Sequence, residues 1–249
     1  MSDSKQRLDQ ALVERGFAST RTRAQAAIKA GHVRIAGRIS LKPADLVGSG
    51  DELSLAEAEM PYVSRAAFKL KHALEHFKID PEGLICLDIG ASTGGFTQIL
   101  LQHDAYRVYA VDVGHGQLAP EIASAAHVIS LEKLNIKDIS SVHVPEPVDL
   151  IVCDVSFISL AKALPAALSL CPAGALLIAL IKPQFEVGRA HIRRGGIVRD
   201  ETQQQRVRDD VAAWLNTQDG WTVLGITESP ITGSDGNREF LIAARKNGA

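Results

Sequence analysis

Cysteine is scarce in this chain. Its 249 residues include three, Cys86, Cys153 and Cys171, each inside an apolar run and none in a C-x-x-C pair. That spacing argues against a zinc ribbon or a disulfide framework, so the thiols read as reduced core residues. The first ten residues, MSDSKQRLDQ, have no apolar core, which excludes a typical secretory leader and predicts a cytoplasmic protein. Nor is there an unbroken membrane span. Residues 163–181 are uncharged and mostly apolar, but Pro165 and Cys171-Pro-Ala-Gly174 interrupt them. They predict a short helix, a turn and a buried strand over 175–181, with no stable membrane association. No internal repeat or low-complexity tract is present, and net charge is only −2. Composition alone therefore names no polyanionic partner.

The distribution of charge does. Residues 5–42 hold nine basic side chains against two acidic ones, Asp9 and Glu14, while the rest of the chain is acidic on balance. Such asymmetry points to an N-terminal module facing a polyanion. Helical spacing over 7–15 (Leu8, Leu12, Val13) stops at Gly16. Ser19 is placed to cap a second helix over 20–30, which stops at Gly31. His32-Val-Arg-Ile-Ala-Gly-Arg-Ile then alternates around a glycine, as a small hairpin does. A solvated charged face is the plain alternative. Yet Arg7-Leu-Asp, the small residues and arginines of the second helix, and Gly31-x-Val-x-Ile-x-Gly37 resemble the S4-type RNA-binding domain. The resemblance implies that Arg7, Arg15, Arg21, Arg23, Lys29 and Arg34 dock on RNA phosphates, giving affinity with little sequence reading.

After a linker near residues 55–61, strand-like and helix-like segments alternate to the end of the chain: helices over 65–76, 95–102, 159–170 and 201–217, and strands over 84–88, 107–112, 127–130, 148–154, 175–182, 221–228 and 239–245. That pattern predicts an open α/β sheet with helices on both faces. At its centre Leu84-Ile-Cys-Leu-Asp88 runs into Gly90-Ala-Ser-Thr-Gly-Gly95 and then into Phe96, Ile99 and Leu100. A strand that stops in glycines and hands over to a helix gathers backbone N–H groups at one point.

Three chemistries compete for that turn. Gly90-x-Ser92-x-Gly94 has the form of a nucleophile elbow, but the last histidine is His191, in an Arg/Gly-rich segment, and no HGGG-like element exists. A nicotinamide site needs G-x-G-x-x-G, which Gly90, Gly94 and Gly95 do not supply. S-adenosylmethionine has no pyrophosphate and needs only a close backbone. Asp88 is expected to face its ammonium group. Asp112, ending Val108-Tyr-Ala-Val-Asp112, would accept from both ribose hydroxyls, and Asp138 would lie near the adenine. Alone, Asp112 reads equally as a strand-end turn residue; the combination favours the cofactor.

Downstream, the 148–154 strand ends in Cys153-Asp154-Val-Ser-Phe157, without the N/D-P-P-Y/F sequence of many base-amine methyltransferases. Cys153 should point into the core, opposite to Asp154, which removes the nucleophile that cytosine-5 methylation needs. An oxygen acceptor remains, and a hydroxyl acceptor calls for a base. Lys182 closes an almost wholly apolar strand, where desolvation would favour a neutral amine. A snorkelling structural lysine is the alternative there.

Lys69, Asp154, Lys182 and Glu239 follow the chain order of the Lys-Asp-Lys-Glu set of FtsJ-type ribose 2′-O-methyltransferases. With YVSRAAFKL, LDIGASTGGFT, VDVGHGQL, DVSFISL, IKPQFEVGR and GSDGNREFL, the chain is similar to the TlyA family from about Arg7 to Arg245. These are ribosomal RNA cytidine 2′-O-methyltransferases, also called haemolysins. The resemblance implies an S4-like α+β domain and linker over 1–60. It implies a Rossmann-like methyltransferase domain with a seven-stranded, mostly parallel sheet over 61–249. It further implies S-adenosylmethionine held by Asp88, Gly90, Ala91, Ser92, Gly94, Gly95, Phe96, Thr97, Asp112 and Asp138, with Lys182 acting on the hydroxyl. No metal is expected. The partner would be ribosomal RNA within ribosomal subunits, contacted also by Arg65, Arg189, Arg193, Arg194 and Arg199. The short ends resemble the form acting on the large subunit only. A membrane-active haemolysin and a methyltransferase of transfer RNA or of a base are the competing readings. The first lacks a long basic amphipathic helix, and the second does not fit Asp154-Val-Ser-Phe157.

Overall fold

The computed structural model describes residues 5–18, 20–29, 31–55, 61–187 and 197–248. Ser19, Arg189, Arg193, Arg194 and most of the linker lie outside the described residues. The chain divides into two compact units, Met1–Pro61 and Tyr62–Ala249.

The first unit opens with β1 (Gln6–Arg7), α1 (Leu8–Glu14) and α2 (Arg21–Lys29). Gly16 and Gly31, both at φ +78°, follow the two helices, a backbone state that costs glycine little. The hairpin is β2 (Val33–Ile35) and β3 (Arg38–Ile39), turned by Ala36 and Gly37, both at positive φ. Two consecutive left-handed residues match the right-handed twist of the strands. The sequence pattern did not disclose β4 (Leu46–Val47), which pairs with β1, or β5 (Leu53–Leu55), which pairs with β2. Leu8, Leu12, Ile28, Val33 and Val47 are fully buried and form the core.

In the second unit the chain runs α3 (Ala66–Phe77), β6 (Ile85–Ile89), α4 (Gly95–Gln102), β7 (Arg107–Asp112), α5 (Pro120–Ala123) and β8 (Val128–Glu132). A 3-10 turn (Ile136–Asp138) precedes β9 (Leu150–Cys153), α6 (Leu160–Ala163), α7 (Pro165–Leu168), β10 (Leu176–Ile181) and α8 (Pro183–Glu186). The unit ends with α9 (Glu201–Asn216), β11 (Trp221–Glu228) and β12 (Phe240–Lys246). The helix expected over 159–170 is two four-residue pieces, because Pro165 cannot continue the first and instead starts the second.

Seven strands form one sheet in the order β11-β12-β10-β9-β6-β7-β8, parallel except for β12, which is antiparallel to both neighbours. Alternate side chains sort to the two faces. Cys86, Val108, Leu150, Val152 and Ile178 meet α3 and α4 on one. Leu87, Tyr109, Ile151, Cys153 and Leu177 meet α6, α7 and α9 on the other. All three cysteines are free and buried, and burial pushes the Cys86 and Cys153 thiols far above their ordinary range. Fully burying one Leu or Ile contributes roughly 1.5–3 kcal/mol, so two continuous cores hold the sheet rigidly. From β6 the chain winds one way through β7 and β8, then returns to place β9 and β10 on the other side. The crevice at the carboxyl ends of β6 and β9 is the switch point where open α/β sheets bind ligands.

Candidate active site

Two cavities open at that crevice and share Gly90, Ser92, Asp154 and Ser156 in their walls. The backbone makes the shared wall possible. Gly90 has φ +83°, and a Cβ there would stand 2.7 Å from the Asp154 carbonyl oxygen, so neither the conformation nor the space admits another residue. A Cβ on Gly95 would collide with Ser64 Oγ, so glycine lets the start of α4 pack beside the start of α3.

The first cavity, of about 520 Å³, lies over the ends of β6, β7 and β9. Asp112 lines it. Its two carboxylate oxygens accept from Ser92 N at 2.9 Å and Gly114 N at 2.7 Å, and each oxygen has a further lone pair. Leu134, Asn135 and Ile136 form the far wall. Asp138, expected near the adenine, is exposed and outside the cavity. The chain turns after β8 at Lys133, at φ +57°, and Asn135 caps the 3-10 turn by accepting from Lys137 N. That turn carries Asp138 outward and leaves Asn135 in its place.

Asp88 also departs from expectation. Its side chain is fully buried, lines neither cavity, and accepts from Thr97 Oγ1 at 2.6 Å. Burial pushes its carboxyl up to about 7. Asp88 and Thr97 therefore brace the glycine turn from beneath instead of facing a ligand. Gly94, at φ +95°, lines neither cavity; a Cβ there would press on Leu118 and Ile122. Gly90, Ala91, Ser92, Gly95 and Phe96 do line the crevice.

The second cavity, of about 440 Å³, has Lys69, Asp154, Lys182 and Glu239 in its wall, with Arg65 at its edge. Lys182 Nζ lies 2.6 Å from Asp154 Oδ1 and donates to Ser156 Oγ at 2.9 Å. Lys182, expected at the mouth of an apolar strand, is thus ion-paired to Asp154, because β9 and β10 are parallel neighbours with their carboxyl ends at one edge of the sheet. Lys69 Nζ donates to Glu239 Oε2 at 2.6 Å, with both side chains buried. Burial raises the Glu239 carboxyl, and the Lys69 ammonium opposes the shift. Ser156, which sequence reasoning did not single out, sits two residues past Asp154 at a parallel strand's end; that parity was its only signal. Phe157, one residue further, is 90% exposed at φ +66° and lies 5.0 Å from the Phe185 ring. Ser92 has a positive φ, as a nucleophile elbow would, but among the described residues no histidine lines either cavity.

The N-terminal unit handles its charges differently. Asp9 is fully buried and accepts from Arg7 Nε at 3.0 Å, Arg21 Nε at 2.9 Å and Gln25 Nε2 at 2.7 Å. Arg15 donates to the Asp51 and Gly48 carbonyls, and Arg34 to the Gly37 carbonyl. Four of the six candidate RNA contacts in this unit therefore also tie the fold together; Arg23 and Lys29 lie exposed on α2, and Arg199 is exposed in the second unit. Among the described residues no helix is long and apolar enough to cross a membrane, and no cluster fit for a metal ion occurs.

Comparison with known proteins assigns the family. Residues 62–246 match the FtsJ-like methyltransferase model and residues 6–53 the S4 domain model. The chain is 43% identical over 241 residues to the 16S/23S rRNA (cytidine-2′-O)-methyltransferase TlyA of Mycobacterium tuberculosis, covering 96% of this chain and 89% of that one. It is 39% identical to Hemolysin A of Brachyspira hyodysenteriae, over 94% of this chain and 98% of that one. A solved structure assigned as a hemolysin from Streptococcus thermophilus superimposes with a TM-score of 0.78 at 38% identity, over 100% of this chain and 90% of that one. The chain belongs to the TlyA family of FtsJ-like methyltransferases that carry an S4 domain.

Proposed function

We propose that this protein transfers a methyl group from S-adenosylmethionine to the ribose 2′-hydroxyl of a cytidine in ribosomal RNA. The observation that carries the reading is a cavity walled by two lysine–carboxylate pairs, sharing Gly90 and Asp154 with a second cavity that offers a ribose-binding carboxylate. The residues fit the cofactor: a turn without side-chain bulk at Gly90, carboxylate oxygens at Asp112 and a polar Asn135 beside apolar Leu134 and Ile136. S-adenosylmethionine supplies an electrophilic methyl group on a sulfonium.

The chain's own groups do the rest. Lys182, in its neutral form, would take the hydroxyl proton as the oxygen–carbon bond forms and the methyl–sulfur bond breaks, with S-adenosylhomocysteine as the leaving group. Asp154, 2.6 Å away, stabilises the resulting ammonium, and Ser156 fixes the direction of Nζ. Lys69 and Glu239 neutralise each other at the opposite wall and orient the sugar. Phe157, held out at the rim, gives an unstacked base an aromatic face. Arg65 and the N-terminal cations hold RNA phosphates, with ribosomal RNA in assembled subunits as the substrate; the M. tuberculosis relative's name specifies both 16S and 23S rRNA.

The test is transfer of labelled methyl to isolated large and small ribosomal subunits by the wild type and by Lys182→Ala. Label in RNA from the wild type and its loss in the variant, with S-adenosylhomocysteine binding unchanged, is the expected result. Equal label from both would refute the role of Lys182. No label in either subunit would refute the substrate.

A further inference from the structure

One loop beside the donor cavity is held by a carboxylate that the mechanism above does not use. Between β7 and α5 the chain passes through Val113-Gly-His-Gly-Gln-Leu118, and Glu132, at the end of β8, faces it. Glu132 Oε2 accepts from His115 Nδ1 at 2.8 Å and Gly116 N at 2.7 Å, and Oε1 accepts from Gln117 N at 3.1 Å. These bonds hold the Glu132 carboxyl below its ordinary range, with the Gly116 amide the largest influence. Backbone bonds fix the flanks: Lys133 N donates to the Gly114 carbonyl at 2.9 Å and Ala119 N to the Thr93 carbonyl at 3.1 Å. A loop of six residues with two glycines does not order itself. Here one side chain gathers three of its donors.

The consequence of that ordering is the place of Gln117. Its side chain lines the same cavity as Asp112. A Cβ on Gly114 would collide with Gln117 Nε2 and stand 3.1 Å from Asp112 Oδ1. The carboxamide therefore folds back over Gly114 to lie beside the carboxylate, and only glycine leaves it room. The two groups are chemically complementary. A carboxylate only accepts hydrogen bonds, whereas a carboxamide both donates and accepts. A vicinal diol needs both, because each hydroxyl has a proton to give and lone pairs to fill.

We propose that Gln117 is a second contact for the ribose diol of the bound nucleoside, beside Asp112, and that Glu132 is the positioning residue that delivers it by holding the 113–118 loop. The inference rests on the cofactor reading above and adds residues on the loop to it. Gln117 itself is exposed, so its truncation leaves the fold intact, whereas Glu132 acts only through the loop.

Calorimetric titration of the full-length protein with S-adenosylhomocysteine and with its 2′,3′-dideoxy analogue tests the proposal. Gln117→Ala is expected to weaken S-adenosylhomocysteine binding about tenfold, the effect of one lost hydrogen bond of roughly 1.4 kcal/mol. It should change binding of the dideoxy analogue less than threefold, since the interaction partner is then missing from both sides of the cycle. Gly114→Ala, which displaces the same carboxamide, and Glu132→Gln should follow it. In turnover assays the variants should raise KM for S-adenosylmethionine and leave kcat unchanged, a split that a merely structural role does not produce. If the wild type binds S-adenosylhomocysteine and the variants bind it equally well, the proposal is overturned while the cofactor reading stands. Loss of affinity that is the same for both ligands also overturns it. If the wild type binds neither ligand, the cofactor reading itself has failed.

Discussion

Among the described residues two aspartates are completely buried, Asp9 in the N-terminal unit and Asp88 in the second unit, and their environments drive them apart. Asp9 receives two guanidinium groups and an amide, which hold its carboxyl far below the usual range, hydrogen bonding from Arg7 foremost. Asp88 receives the hydroxyl and the backbone N–H of Thr97 but no cation, and burial wins, raising its carboxyl to about 7. Burial alone therefore says little about a carboxylate; the donors around it decide. The contrast extends to the units. In the first, a buried anion organises cations that remain part-exposed. In the second, cations and anions cancel in pairs around a cavity, so that the site is polar without being highly charged.

The largest effect expected from breaking this arrangement is in the lysine–carboxylate pairs of the second cavity. Lys182→Met should lower single-turnover methyl transfer by about 10²–10⁴-fold, the usual range for a general base, while the dissociation constant for S-adenosylhomocysteine holds. Glu239→Gln should act through Lys69, which then stands buried without a counter-charge; about 3–5 kcal/mol of stability is at stake when one partner of such a pair is removed. Denaturant unfolding followed by the two tryptophans, Trp214 and Trp221, both in the catalytic unit, measures it.

The aspartate contrast is sharpened by pH. Asp88 binds its proton more tightly in the folded state. Its contribution is therefore complete below about pH 4 and lost as pH rises through about 7. Relative to Asp88→Asn, which keeps an acceptor for Thr97, the wild type should lose at most about 4 kcal/mol across that window. Asp9 has the opposite sign. Its contribution is complete above about pH 4 and lost as pH falls toward its depressed folded value. Asp9→Ala should lower the melting midpoint of the N-terminal unit by about 5 °C at pH 7, read by amide exchange in α1 and α2, with less difference from wild type at pH 3. The smallest effect belongs to Lys29, exposed on α2. Lys29→Ala should weaken RNA binding a few-fold at every sequence and reduce the salt slope by about one.

Much of this was legible in the sequence for definite reasons. The 84–97 segment declares a strand, a turn and a helix because its apolar period changes at glycines that only a tight crossing requires. The order Lys69, Asp154, Lys182, Glu239 placed three residues near strand ends and one at the start of a helix, and parallel topology brings such positions to one edge. What stayed hidden depends on register and distance. Whether Asp88 faces cavity or core depends on where β6 stops relative to its pleat, a shift of one residue. Asn135 replaces Asp138 because of a left-handed turn at Lys133 that no local pattern requires. Ser156 and Glu132 gain their roles from partners 26 and 15–17 residues away, beyond the reach of periodicity. Arg7, Arg21 and Asp9 were visible as residues, but their sharing of one buried acceptor was not.

The position of the methyl group on the product tests the central claim most directly. Ribosomal RNA labelled by the wild-type protein is hydrolysed in alkali, which cleaves after every nucleotide whose 2′-oxygen is unmodified. The account predicts that the label survives in an alkali-stable dinucleotide whose 5′ residue is cytidine. Label released in a mononucleotide, with the methyl on the base, would contradict it.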